Sequence, residues 1–98
     1  MMKKVDLTKK AEGGNQLRLS IKPPVSQSVS FAEVKNYQSI LKKIPEGEIE
    51  VTEGEFAFIF GSFVNASMET KIAFAEMVED LNEGFDIVEY EENLKHPK

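Results

Sequence analysis

Between residues 30 and 45 the chain specifies one helix in full, and that helix constrains what its neighbours can be. Ser30 precedes Phe31 and has Glu33 three residues on. In this capping-box spacing each side chain satisfies the other's orphan backbone N–H. Val29 and Val34 stand where a hydrophobic staple would close over the cap. At about 100° per residue, Val34, Tyr37, Ile40, Leu41 and Ile44 fall on one arc, with Lys35, Ser39, Lys42 and Lys43 opposite. Pro45 and Gly47 stop the run. A helix with one apolar arc needs an apolar surface to cover it.

The segments around it alternate with period two. In Gln16–Lys22, Leu17, Leu19 and Ile21 point one way and Arg18, Ser20 and Lys22 the other, which predicts a half-buried strand ended by Pro23-Pro24. Residues 48–52 alternate again. Glu53-Gly54 then offers a tight turn into Glu55-Phe56-Ala57-Phe58-Ile59-Phe60, so a hairpin is expected, with Gly61 bulging or ending its second strand. A second helix opens near Ser67 with Glu69 in its first turn, and leaves through Asn82-Glu83-Gly84, with Gly84 as a left-handed cap. A last strand covers residues 85–90.

The predicted order is β-α-β-β-α-β, the ferredoxin-like split βαβ arrangement of an α+β fold. It implies a four-stranded antiparallel sheet with two helices on one face. Residues 1–14, closing on Glu12-Gly13-Gly14, read as a flexible N-terminal arm with a short strand around Val5–Thr8. Residues 15–91 read as one domain and 92–98 as a charged C-terminal tail.

Ninety-eight residues make one small core. The chain has no cysteine, although a secreted domain of this size usually leans on disulfides. No apolar stretch follows the basic opening at Met1–Asp6, and no run is long enough to span a membrane. A soluble, cytoplasmic protein is expected. Charge is lopsided: residues 1–45 carry nine Lys/Arg against three acids, and residues 46–98 carry three Lys against fourteen acids.

The inventory for chemistry is thin. His96, the sole histidine, sits in the tail beside Pro97, where nothing holds it against a target. One histidine and no cysteine argue against zinc, and neither a calcium-loop spacing nor a phosphate-cradling glycine pattern is present. Asn65-Ala66-Ser67 matches a glycosylation acceptor but lacks an export signal to give it meaning. No catalytic residue, metal or cofactor is assigned, and no enzyme is expected.

Phe56-Ala57-Phe58-Ile59-Phe60, third among the expected strands, resembles in part the aromatic signature of the RNA-recognition-motif family. That resemblance implies rings exposed on a sheet to stack on bases. The chain departs from the pattern at Gly54 and Glu55, where a basic residue and a glycine lead, and at Gly61, where the last aromatic belongs. Leu17-Arg18-Leu19 adds no ring, and the acidic second half would repel phosphates. The phenylalanines are therefore expected in the core and nucleic acid is disfavoured as a partner.

The second helix carries the best functional hint. Phe74, Met77, Val78 and Leu81 form its buried arc, while Glu69, Glu76, Glu79, Asp80 and Glu83 gather on another with Ile72 among them. This face is the candidate partner-binding surface. The basic face of Lys35, Lys42 and Lys43 is its complement on the same chain. The expected function is a small acidic, non-enzymatic protein-interaction module: an adaptor, inhibitor or regulatory subunit. Its partner would be a basic protein or a second copy.

Three alternatives accompany this reading. Glu46, Glu48 and Glu50 would project at intervals of about 6.6–7 Å along a strand, a row an inhibitor could use to mimic nucleic acid; protection of an edge strand explains the same charges. RNA binding through the sheet face is the second. A carboxylate-only enzyme, with two acids meeting in a pocket, is the third.

Overall fold

The computed structural model describes residues 2–11, 13–23 and 28–95. Glu12, Pro24, His96, Pro97 and Lys98, which entered the sequence reading, lie outside them. Strand β1 (Lys3–Asp6) pairs antiparallel with β2 (Glu48–Val51), with Lys3 opposite Val51 and Asp6 opposite Glu48. Helix α1 (Phe31–Lys43) precedes β2, and α2 (Glu53–Phe63), α3 (Met68–Leu81) and α4 (Ile87–Lys95) follow it. The fold is α+β, but the ferredoxin-like expectation of four strands and two helices is overturned: two strands and four α-helices form among the described residues.

Helix α1 forms over the expected span. The Ser30 hydroxyl accepts from the Glu33 N–H at 3.2 Å, and Gly47, with φ +86°, supplies a left-handed turn beyond the helix end. Its buried side differs from the expected arc. Ile40 and Ile44 are buried and Tyr37 is half-buried, but Val34 and Leu41 are exposed. The apolar arc is wider than the surface α2 offers it, where Tyr37 meets Phe58 at 5.8 Å between ring centroids.

The expected hairpin strand at residues 55–60 is instead α2. Thr52 and Glu55 form a complete capping box: the Glu55 N–H donates to the Thr52 hydroxyl at 3.1 Å, and the Thr52 N–H donates to the Glu55 carboxylate at 2.8 Å. Phe56, Ile59, Phe60 and Phe63 then recur at i, i+3, i+4 and i+7 and are all buried. Of the three rings expected in the core, Phe56 and Phe60 are there, carried by a helix, while Phe58 is half-buried on the opposite side against Tyr37.

Two further strands fail for similar reasons. Residues 85–90 enter α4, because the Asp86 carboxylate accepts from the Val88 and Glu89 N–H groups at 2.9 and 3.3 Å and caps the helix. The alternating run at 16–22 forms a single 3-10 turn, Leu17–Ser20. The chain folds back at Gly13 and Gly14, so that the Leu17 and Arg18 N–H groups donate to the carbonyls of Lys9 and Leu7, both at 2.8 Å. Leu17 is thereby buried, while Leu19 is exposed. The stretch read as an arm carries Val5 and Leu7, neither with any exposure.

The core runs from Val5, Leu7 and Leu17 through Ile40 and Val51 to Phe56, Ile59, Phe74 and Val78. Phe74 stacks on Phe63 at 4.2 Å, and Phe56 receives the edges of Tyr90 at 5.1 Å and Phe85 at 5.6 Å. The Asn82 side chain holds α3 to β1: its carbonyl accepts from the Lys4 N–H and its amide donates to the Lys4 carbonyl, both at 2.8 Å. It acts as one more rung of the ladder on the outer edge of β1.

Glu55 is buried and also takes two hydrogen bonds from the Lys43 ammonium, at 3.0 and 3.2 Å. Burial pushes its carboxyl up, but hydrogen bonds from Ser39, the Thr52 N–H and Lys43, with the charge of Lys43, outweigh it and hold the group below its ordinary 4.5. A depressed pKa contributes stability that is full above 4.5 and is lost as pH falls through the lower folded value. Glu55→Gln, which keeps an acceptor for Thr52 but removes the charge, is expected to flatten this acid limb in urea melts run from pH 6 to 2. Glu55→Ala also removes the cap and should cost about 1 kcal/mol more than the glutamine variant at pH 7. Phe56→Ala should cost about 3–5 kcal/mol by the same melts, and Asn82→Ala about 1–2 kcal/mol.

Candidate functional site

Helix α3 divides its surface cleanly. Phe74, Met77 and Val78 turn into the core, while Glu69, Glu76, Glu79 and Asp80 are exposed with Ile72, which is half open at 50%. Glu83 is exposed just past the helix end. The structure thus carries five of the six predicted residues on one side of α3, at about 100° per residue, with Glu83 beyond its end. One of them has an internal duty: the Glu79 carboxylate accepts from the Ile87 N–H at 3.1 Å, at the start of α4. Met68, 71% exposed one turn ahead of Ile72, extends the apolar strip.

Beside this face lies a feature the sequence reading did not anticipate. A cleft of about 160 Å³ opens between α2, α3 and α4, lined by Phe60, Phe63, Val64, Phe74, Ile87 and Val88. Ala75 completes the wall, and Lys71 and Glu91 supply the charged groups. Phe60, Phe63 and Phe74 are core rings, whereas Val64 and Val88 are exposed beside them. The cleft depends on α2 and α4 being helices, so a reading with strands in their place had no means of finding it. The helical recurrence of Phe56, Phe60 and Phe63 after a Thr-x-x-Glu start was the available signal.

The basic face is reduced. Lys35 and Lys42 are exposed on α1, but Lys43 is held by Glu55 and by the Glu50 carbonyl at 3.3 Å. What α1 shows to solvent is an apolar stripe, Phe31 at 89% exposure with Val34 and Leu41, alongside Lys35 and Lys42.

Other regions hold less. A wide, shallow depression of about 920 Å³ lies between α1, α2 and the Leu19–Pro23 stretch. Among the described residues its lining holds a single Lys22 and a single Glu33, and so gathers no paired acids or cations. Gly54 allows α1 to approach closely there; a Cβ at that position would meet the Asn36 amide at 3.3 Å. Glu46, Glu48 and Glu50 are exposed, but Lys4 lies opposite Glu50 across the sheet and breaks the row of charge a phosphate mimic needs. The four-stranded platform that base stacking required is not formed.

Chemistry is sparse among the described residues. No three His, Cys, Asp or Glu come together as metal ligands, and Glu55 is the one buried charged side chain. Its carboxylate is taken up by three internal donors, Ser39, the Thr52 N–H and Lys43. Tyr90 is pushed above its ordinary 10.0 by burial and then by the charge of Glu53, so it stays a neutral phenol packed on Phe56 and Phe60. No described helix is long and apolar enough to cross a membrane. Comparison with protein-family models, with curated proteins and with solved structures finds no match for this chain, so its own geometry carries the functional reading.

Proposed function

We propose that this chain is a non-enzymatic protein-interaction module, an adaptor, inhibitor or regulatory subunit, that docks a basic amphipathic segment on the α3–α4 side. One observation carries the reading: an aromatic-floored cleft, with exposed Val88 and the Glu91 carboxylate in its lining, opens between helices that also expose Met68, Ile72 and the acids of α3. Protein interfaces concentrate their affinity in such apolar anchor sites, while the charged surround steers encounter and sets register. Apolar side chains gathered on a helix that also carries four acids keep the surface soluble while leaving one anchor open.

The surface accounts for the acidic second half of the chain as well. Carboxylates at Glu69, Glu76, Asp80 and Glu83 repel one another on an isolated helix at some tenths of a kcal/mol per pair, and a cationic partner relieves that repulsion. Direct evidence comes from a photo-crosslinking amino acid placed at Ile72, with the same group at Lys9 as control, in extract of the native host. The expected result is a protein adduct from position 72 only, competed by unlabelled chain and weakened several-fold between about 50 and 500 mM salt. Adducts that are equal at both positions, or that ignore salt and competitor, would remove the reading.

A further inference from the structure

We propose that the cleft between α2, α3 and α4 receives α1 of a second copy of this chain, with Phe31 as the inserted side chain. The inference rests on the docking surface proposed above and names its occupant.

Three observations converge on it. The first is size. A cleft of about 160 Å³ floored by phenylalanines matches one aromatic ring, since an apolar cavity of about 150 Å³ holds benzene. The second is an unpartnered ring of that kind on the same chain. Phe31 is 89% exposed in the first turn of α1, and Val34 and Leu41 continue its stripe at helical spacing. A phenylalanine this open on an otherwise packed domain loses apolar contact that insertion would supply. The third is charge. Lys35 and Lys42 flank the stripe, whereas Glu91 lines the cleft and the Glu79 carboxylate holds the N–H of Ile87, another lining residue. Lys71 is the one like charge on the rim, and it shares that rim with Glu91.

The two surfaces differ, so the pairing is isologous only if both α1-to-cleft contacts form between the same two copies, and head-to-tail otherwise. Two copies can exchange α1 reciprocally about a two-fold axis, giving a closed dimer with two filled clefts. Without closure each copy passes its α1 to the next, and assembly grows with concentration. Both arrangements bury the same side chains. Phe31 makes no contribution to the core of its own copy, so its removal leaves the monomer intact.

Sedimentation velocity on the full chain, from micromolar to about 1 mM and from about 50 to 500 mM salt, reads the association directly. The wild type is expected to self-associate, with weaker assembly at high salt. Phe31→Ala should weaken it about tenfold or more, and Val88→Glu, which puts charge on the cleft rim, should do the same. Urea melts of both variants should match the wild type. An equimolar mixture of the two should associate more strongly than either variant alone, because the mixed pair regains one intact ring-to-cleft contact. A wild type that is monomeric throughout overturns the inference, as does association that neither variant weakens, or a mixture no stronger than either variant alone. A monomer that still gives the salt-sensitive adduct from position 72 with another protein would sink this inference alone. Loss of that adduct as well would remove the docking surface itself.

Discussion

The Glu55 carboxylate joins three parts of the chain that nothing else links so directly. It accepts from the Thr52 N–H and so closes the start of α2, and it draws the Lys43 ammonium down from the last turn of α1. Lys43 in turn reaches the Glu50 carbonyl on β2. A carboxylate taken out of water on these terms is tolerable only if its lone pairs are met, and here the backbone, Ser39 and an ammonium meet them. The arrangement sets the angle at which α2 leaves the sheet, and therefore which of its phenylalanines reach the core.

From that start, α2 delivers Phe56, Phe60 and Phe63 to one side and Phe58 to the other. The inner rings meet Phe74 of α3 and the edges of Phe85 and Tyr90, so α4 is held by aromatic contacts at its beginning rather than by a fully buried side of its own. The Lys3 ammonium lies 5.6 Å from the Phe56 centroid and 5.1 Å from that of Phe85, which brings the first strand into the same cluster. Because α4 covers the rings only in part, a cleft remains beside Phe60, Phe63 and Phe74. The docking surface is thus a consequence of how the core is closed.

Charge separation along the chain acquires a spatial meaning in this fold. Part of the basic first half is consumed internally, Lys43 by Glu55 and Lys3 by the rings. Lys35 and Lys42 are left beside the exposed apolar stripe of α1, while seven of the fourteen acids of the second half lie on α3 and α4. Two complementary amphipathic surfaces on one small domain support the proposed self-recognition, since neither α1's stripe nor the cleft is covered by the described residues of the single chain.

The sequence by itself determined the elements whose signals are local. Ser30 and the stop at Pro45-Gly47 bound α1, Ser67 and Gly84 bound α3, and the i+3/i+4 recurrence on α3 separated its core side from its acidic face with Ile72 between. Period-two patterns were less decisive. Phe56, Phe58 and Phe60 alternate, yet Phe56, Ile59, Phe60 and Phe63 also satisfy a helix, and the Thr52–Glu55 box breaks the tie. Asp86 and Glu89 carried a similar start signal for α4. What only the tertiary structure decided is which apolar side chains find cover. Phe31, Val34 and Leu41 stay open because α2 is too narrow to cover the whole arc of α1, and the cleft exists because three helices meet without filling the space between them. Local periodicity sets the direction in which a side chain leaves its helix; whether anything lies there depends on contacts between residues far apart in the chain.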